Sequence, residues 1–218
     1  MKVEPQQTTD EVVTAPYSDV DLSAGELDHP AWSKAQPVQI AHKWTGEDAP
    51  VSRHAEARLI WSETALVVRF VCRQEEPLVV HDAPQVETKT IGLWNRDVCE
   101  IFIAPDAAAP ERYFEFEAAP TGEWVDLAIH FKPAGRETDF EFQSGMSAAA
   151  RLEPGRLSIA MRIPWSAAIP KPRRGDTWRV NLFRCIGLGN DRYLAWRPTF
   201  APEPNFHVPE AFGRLHFA

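Results

Sequence analysis

The chain has 218 residues, of which 44% are hydrophobic and 11% aromatic, and this length can bury one substantial core. Its formal net charge of -8 argues against a nucleic-acid partner, because binding a phosphate backbone needs clustered positive charge. Cys72, Cys99 and Cys185 are far apart and lack the paired spacing of a zinc site or a disulfide framework, so each is expected inside a strand as a small hydrophobic residue.

The start of the chain shows no targeting signal. Residues 1–7 hold no apolar stretch of the signal-peptide kind, and no apolar run approaches the length of a membrane span. We therefore expect a soluble protein without a membrane partner, with the compartment left open between the cytoplasm and secretion after removal of a signal. Residues 1–20 are expected to be a loose extension of one domain that spans residues 1–218.

Period-two alternation of apolar and polar residues predicts strands along most of the chain. Residues 28–32 are expected to be a loop, and residues 37–42 an edge strand that follows it. Residues 57–61 and 65–72 flank the short polar segment 62–64, which predicts a hairpin.

The second half of the chain continues the same pattern. Residues 97–103 and 112–118 predict another strand pair. Residues 124–131 put Val125, Leu127, Ile129 and Phe131 on one face of a strand. Further strands are predicted at residues 157–163, 178–185 and 214–217, and the proline-bounded residues 164–170 are expected to hold one helical turn.

About nine strands at this spacing predict an all-β protein. The fold class is an antiparallel β-sandwich of the immunoglobulin-like or jelly-roll type, and a closed barrel is the alternative. The segment between Trp196 and Phe212 contains four prolines and cannot be a helix or a central strand. It is expected to be a rigid loop that presents Trp196, Phe206 and His207, a platform typical of sugar binding.

Two blocks in this chain carry a family resemblance. One is Trp-x-x-Asp-x-x-Glu-Ile-Phe, which begins at Trp94, and the other is Pro-x-x-Phe-Gly, which ends at Gly213. Together with residues 28–32 and 178–181, in this order, they resemble the family 9 carbohydrate-binding modules. The resemblance implies a β-sandwich that clamps the end of a sugar chain between two aromatic side chains, without catalysis.

The resemblance also implies site residues. Trp94 falls on one clamp position, and Phe206 stands where the family has the second clamp tryptophan. Glu100 matches a family carboxylate that accepts hydrogen bonds from sugar hydroxyls. The implied partners are a mono- or oligosaccharide and an associated glycoside hydrolase in polysaccharide breakdown, and structural calcium is left open, with Glu47 and Asp48 as an acidic loop.

Physical reasoning points to the same type of site, because a pyranose ring shows C–H bonds on its faces and hydroxyls at its rim. Trp94 and Phe206 supply flat aromatic faces, while Glu100 and Arg184 supply charge-assisted hydrogen bonds. Further candidate ligand residues are Asn95, Glu115, His207 and Trp196. For His207 the alternative is a bond to the loop backbone. For Trp196 it is stacking with Arg197, and Trp32, Trp61, Trp165 and Trp178 are expected in the core.

Two other functions compete with sugar binding. Glu115 and Glu117 lie roughly 6.6 Å apart on one predicted strand, a spacing that suits an inverting glycosidase. They approach from the same side, however, and a hydrolase needs carboxylates on both sides of the scissile bond. A haem-b sandwich would need Met146 or Met161 with His130 or His207 as axial ligands, but Met161 alternates with apolar residues and is expected in the core.

Overall fold

The computed structural model describes residues 11–218, so the expectations for residues 1–10 lie outside the described part of the chain. This part forms fourteen strands and five short 3-10 helices. The strands are β1 (Val12–Ala15), β2 (Val38–Ile40), β3 (His42–Lys43), β4 (Ala55–Trp61), β5 (Ala65–Gln74), β6 (Val98–Ala104), β7 (Arg112–Ala118), β8 (Trp124–Lys132), β9 (Gly135–Asp139), β10 (Ser147–Glu153), β11 (Gly155–Pro164), β12 (Thr177–Cys185), β13 (Tyr193–Ala195) and β14 (Gly213–Phe217). The 3-10 helices are Pro30–Lys34, Val51–Arg53, Leu93–Asn95, Asn190–Arg192 and Pro209–Ala211.

The strands form two sheets. The larger sheet has nine strands in the order β1-β14-β12-β6-β7-β8-β9, with β13 paired to β12 and β3 paired to β13. The smaller sheet has five strands in the order β10-β11-β5-β4-β2. All pairs of these strands are antiparallel except β1 with β14, which is parallel. The predicted all-β sandwich is confirmed, and β2 lies at a sheet edge as expected.

The main core lies between the two sheets. Strands such as β4, β5, β6, β11 and β12 contribute alternate residues to it, as the period-two pattern requires. Phe70 and Met161 from the smaller sheet meet Ile101, Phe116 and Leu182 from the larger one, and all five are fully buried. Met161 is therefore a core residue, as predicted.

A second apolar cluster covers the outer face of the larger sheet, beneath the proline-rich loop. It contains Phe102, Tyr113, Leu127, Phe183 and Phe206. The sequence prediction for residues 124–131 is confirmed, because the face carrying Leu127 packs in this cluster. The larger sheet is thus buried on one face by the core and partly covered on the other by a loop.

The cysteines and core tryptophans take the positions predicted for them. Cys72, Cys99 and Cys185 are all buried on strands with free thiols. The Sγ atoms of Cys72 and Cys99 lie 3.5 Å apart, although the two residues belong to different sheets. The four tryptophans expected in the core are buried or packed against it, namely Trp32, Trp61, Trp165 and Trp178.

Three local expectations are corrected. Residues 164–170 form no helical turn: after β11 ends, the Ser166 N–H donates to the Ile169 carbonyl (2.8 Å) in a bend. Residues 12–15 are the strand β1 and not a loose extension, because their backbone pairs with β14. The expected loop 28–32 is in part helical: residues 30–32 belong to the 3-10 helix Pro30–Lys34, which His29 caps by accepting from the Ala31 N–H. No helix among the described residues is long and apolar enough to cross a membrane.

Candidate functional site

A cavity of about 360 Å³ opens on the outer face of the larger sheet. Side chains from β6, β7, β8 and β9 line one side of it, and residues of the proline-rich loop line the other. The loop between Trp196 and Phe212 contains no strand and only the 3-10 helix Pro209–Ala211, so the prediction of an irregular segment is confirmed. The volume lies at the small end of the range usual for ligand pockets.

Trp94 stands at the rim of this cavity. It belongs to the 3-10 helix Leu93–Asn95, which Gly92 introduces with a left-handed backbone (φ 87°). Arg192 holds this helix in place, since its Nη1 donates to the Trp94 carbonyl (3.3 Å) and its Nη2 donates to the Arg96 carbonyl. Leu93 is buried as the anchor, while Trp94 is only half-buried. A flat aromatic face is therefore held rigidly at the cavity mouth.

Phe206 forms part of the opposite wall. Its ring stacks on Phe183 with centroids 4.0 Å apart and planes 12° apart, and the edge of Tyr193 meets it at 5.9 Å. Only 8% of Phe206 is exposed. The side chain is thus a packed wall residue that turns one part toward the cavity, in contrast to the exposed ring expected from the sequence.

Three carboxylates gather at the floor. Glu100 on β6 pairs in register with Glu117 on β7, and Glu115 lies two residues before Glu117 on the same face. One oxygen from each lies within 4.8 Å of the other two, and we call this group the carboxylate trio. Glu100 and Glu115 line the cavity, whereas Glu117 lies behind them with no exposed surface.

Burial governs the protonation of the carboxylate trio. Loss of water raises the pKa of Glu100 to about 8, and the nearby Glu115 charge adds to the effect. Burial likewise raises the pKa of Glu115, and it raises that of Glu117 well above its usual value, with the charges of Glu100 and Glu115 contributing. The Cys185 thiol donates to Glu100 Oε1 (3.3 Å). The trio therefore retains protons at neutral pH.

Several oxygens of the carboxylate trio have no donor. Among the described residues, Glu115 Oε2 and both oxygens of Glu117 lack a hydrogen-bond partner when the groups are ionised. A protonated Glu117 can donate to Glu115, which satisfies one of these oxygens. The other unpaired oxygens are buried, and their burial is the cause of the raised pKa values of Glu115 and Glu117.

His207 closes the cavity above the trio. Its Nδ1 forms a 2.7 Å hydrogen bond with the Tyr113 hydroxyl, and its Nε2 lies 3.9 Å from Glu115 Oε2. Burial, with the charge of Arg136, lowers the pKa of His207 to about 3, so the ring is neutral. The bond to a side chain replaces the bond to the loop backbone considered from the sequence.

Six of the eight candidate ligand residues line this one cavity. They are Trp94, Asn95, Glu100, Glu115, Phe206 and His207. The sequence reasoning missed Phe102, Tyr193 and Arg136, which also line it. Period two places Phe102 on the same face as Glu100 and could have revealed it. Arg136 lies on the charged edge strand β9, which has no apolar pattern to predict it.

Arg184 and Trp196 do not belong to this cavity, which corrects two of the predictions. Alternation along β12 puts Phe183 on the outer face and Arg184 on the inner one. There the Arg184 guanidinium donates to the carbonyls of Arg53 (2.7 Å) and His54 (3.1 Å) and to Gln74 Oε1 (2.7 Å), so it holds the fold together.

Trp196 packs in the core between the sheets, with 8% of its surface exposed. Its position in the chain places it at the start of the loop, but its ring turns inward toward Gly213. It is a structural residue and does not stack on Arg197, whose Nη1 instead lies 3.4 Å from the Glu11 carboxylate.

The arrangement does not support the competing chemistries. Glu115 and Glu117 lie on one face of one strand, so they cannot flank a bond from two sides. Met161 lies between the sheets and His207 on the outer face, so these two residues cannot share a haem. In the acidic loop, Glu47 pairs with Lys43 (3.3 Å) and Asp48 with His42 (3.1 Å), and these carboxylates form no calcium cage.

Residues 24–218 match the model of a protein family described as carbohydrate family 9 binding domain-like. Among solved structures, a candidate carbohydrate-binding protein from Bacteroides uniformis superposes with a TM-score of 0.73 at 19% identity, over 96% of this chain and 100% of that one.

A family 9 carbohydrate-binding module from Caldicellulosiruptor kristjanssonii in complex with cellotriose gives a TM-score of 0.65 at 15% identity, over 95% of this chain and 93% of that one. A family 9 module from the same organism in complex with glucose gives 0.62 at 14% identity, over 95% and 96%. At these identities the likeness shows a shared fold. No match is found among the curated proteins.

Proposed function

The chain belongs to the carbohydrate family 9 binding domain-like family, a family of non-catalytic carbohydrate-binding modules, and on this premise we propose that the cavity beside Trp94 is its sugar site. The observation that carries the proposal is the half-buried Trp94 ring at the mouth of a cavity with carboxylates at its floor. A ring stacked on Trp94 would direct its hydroxyls toward Glu100 and Glu115.

The chemistry of the lining supports a sugar ligand. Trp94 and Phe206 offer apolar surface to the C–H faces of a pyranose, and Asn95 and His207 add polar groups at the rim. The cavity volume of about 360 Å³ suits one or two sugar rings better than a long chain lying in a groove. The related modules bound to glucose and cellotriose make these two sugars the natural first probes.

We also propose an accessory role in polysaccharide breakdown, together with a glycoside hydrolase. A non-catalytic module raises the local concentration of an enzyme on its substrate when the two are linked or associated. This role needs binding alone, which is the activity proposed for the cavity.

The test is calorimetric titration of the protein with D-glucose and with cellotriose. We expect saturable binding that Trp94→Ala weakens at least about tenfold, since a stacked aromatic ring contributes roughly 0.5–1.5 kcal/mol in addition to the apolar area that it buries. Leu188→Ala is the matched control, because Leu188 is 75% exposed and lies outside the cavity. Equal affinities of wild type and Trp94→Ala would contradict the proposal.

The same samples test for catalysis. We expect no release of reducing sugar from cellotriose on prolonged incubation. Release that disappears in Glu115→Gln would instead assign a hydrolase to the carboxylate trio.

A further inference from the structure

We infer that the cavity continues into a second sugar subsite at β9, where Phe140 stacks on the second ring of an oligosaccharide. The inference rests on the proposed function, because it concerns the same cavity. It names a specificity-determining residue outside the two sequence blocks that carry the family resemblance. Phe140 decides whether the site prefers a chain of at least two rings to a single sugar.

The cavity is elongated across the larger sheet. Side chains from five consecutive strands of this sheet line it, namely Cys185 on β12, Glu100 on β6, Glu115 on β7, Leu127 on β8 and Thr138 on β9. Neighbouring strands lie about 4.8 Å apart, so the lining extends over roughly 19 Å of the sheet. One pyranose ring is much shorter than this span. A ring stacked on Trp94 therefore leaves the β9 end of the cavity uncovered.

Phe140 belongs to the β9 end of this lining. Asp139 on β9 pairs in register with Ala128 on β8, so the next residues along the two strands are Phe140 and Leu127. Alternation from Thr138 puts Phe140 on the outer face of the sheet, where Leu127 lines the cavity. The Phe140 side chain lines the cavity as well, and 44% of the residue is exposed. An aromatic face is thus open to a ligand at this end.

The backbone around Phe140 is held in place. Lys89 Nζ donates to the carbonyls of Phe140 (3.3 Å) and Phe142, and it forms an ion pair with Asp126 (2.7 Å). The Phe142 ring stacks on Phe114 with centroids 5.0 Å apart, and both pack against the core between the sheets. An exposed ring on a fixed backbone loses little conformational freedom when it binds a ligand, so more of the contact energy contributes to affinity.

Phe206, which stands at the second clamp position of the family, does not offer such a face. It stacks on Phe183 with centroids 4.0 Å apart and is only 8% exposed, so most of its ring surface is used within the protein. Phe140 is the most exposed of the aromatic side chains that line the cavity. The two aromatic surfaces open to a ligand are therefore Trp94, on the β6 side, and Phe140, on the β9 side.

Polar groups accompany Phe140 at the β9 end. Thr138 and Arg136 lie two and four residues before it, and both side chains line the cavity. A guanidinium group supplies several N–H donors, and a hydroxyl group can both donate and accept. Together they can bind the hydroxyls at the rim of a pyranose whose C–H face lies on Phe140. The β9 end thus repeats the combination of aromatic face and polar groups found at Trp94.

The experiment is calorimetric titration of the protein with D-glucose and with cellobiose. D-glucose can occupy only one subsite at a time, whereas cellobiose carries a second ring linked to the first. We expect cellobiose to bind about fivefold or more tightly than D-glucose, because the second ring adds an aromatic contact and hydrogen bonds to the same binding event.

Variants assign the gain to Phe140. Phe140→Ala should bring the affinity for cellobiose close to that for D-glucose, and it should change the affinity for D-glucose by less than about twofold. Phe140→Tyr keeps the ring and should keep the gain. Phe200→Ala is the matched control, because Phe200 is 59% exposed but does not line the cavity. Thermal unfolding of each variant checks that it is folded.

The outcomes separate the two proposals. Equal affinities of the wild type for the two sugars, or a gain for cellobiose that Phe140→Ala retains, overturn the second subsite and leave the sugar site at Trp94 in place. Equal losses of affinity for both sugars in Phe140→Ala also overturn it, because Phe140 then acts on the first ring. Absence of binding of either sugar to the wild type overturns the proposed function and the inference together.

Discussion

Glu100 couples the stability of the fold to pH. Burial, with the neighbouring Glu115, raises its pKa from 4.5 to about 8. The folded state therefore holds this proton more tightly than the unfolded state does, and the free energy of unfolding falls as the pH rises through this range. The stability that this proton contributes is fully present below about pH 4.5. Its loss between that pH and pH 8 lowers the free energy of unfolding by an amount on the order of a few kcal/mol.

Urea unfolding at about pH 5, 6.5 and 8 measures this slope. We expect Glu100→Gln to reduce this slope, because glutamine resembles the protonated acid and does not titrate, while Glu115 and Glu117, whose pKa values are also raised, still contribute to it. Glu203→Gln, exposed and outside the cavity, should leave the slope as in the wild type. A wild type whose unfolding free energy rises steadily over this range would contradict the pKa assignment.

At single positions, the sequence predicted which residue types belong to a sugar site better than it predicted the face of the sheet to which each side chain points. Trp94 and Glu100 were found because their spacing matches a family block, and both line the cavity. Arg184 was chosen for its guanidinium group alone. Its neighbour Phe183 packs in the apolar cluster on the outer face of the larger sheet. Because successive side chains of a strand point to opposite faces, Arg184 points to the inner face.

At the scale of elements, the Trp196 ring packs closely against Gly213, the first residue of β14. A Cβ atom at Gly213 would lie 2.5 Å from the Trp196 ring and 2.9 Å from the Glu11 carbonyl. Gly213→Ala must therefore displace this ring or the backbone before β1, and we expect it to destabilise the protein by roughly 1–3 kcal/mol.

Chemical denaturation of Gly213→Ala checks this expectation. The matched control is Gly25→Ala, where the added Cβ meets only Ser23 Oγ at 3.9 Å. Both positions have ordinary backbone angles, so the comparison isolates the contact. Equal denaturation midpoints for the two variants would show that the Trp196 ring can shift without loss of stability, and would contradict the expectation.

The strands that the sequence missed lack the pattern on which prediction depends. β9 reads Gly-Arg-Glu-Thr-Asp and joins the sheet through backbone bonds to β8, without an apolar face. β1 is four residues long, and its partner β14 lies at the other end of the chain. Strands such as β5 and β11, which carry long runs of buried apolar side chains, were predicted nearly in full.

For the whole molecule, the sequence predicted the sandwich but not the way its faces are used. The larger sheet is apolar on both sides: the core covers one face, and the outer cluster around Phe102 and Phe183 covers part of the other. Alternation alone does not reveal which face carries a loop and a cavity, because both faces of these strands are buried.

The Cys72–Cys99 contact bears on the whole molecule because it crosses from one sheet to the other. Both thiols are buried in the folded protein, so the oxidation is done during refolding with oxidised glutathione, where exchange forms one protein disulfide and releases two molecules of reduced glutathione. A cross-link between residues 27 apart in sequence restricts the unfolded chain and should add about 3–4 kcal/mol to the free energy of unfolding. Urea unfolding with and without reductant measures the gain.

Cys72→Ala should abolish this gain in stability, and Cys185→Ala should keep it. Equal stability of the wild type with and without reductant would contradict the prediction. The thiol pair would thus give the same polypeptide two levels of stability, a lower one when the thiols are reduced and a higher one when they form a disulfide. In a reducing compartment noncovalent contacts alone would join the two sheets, and in an oxidising one a covalent bond would be added, so the stability of the protein would depend on the compartment in which the cell places it.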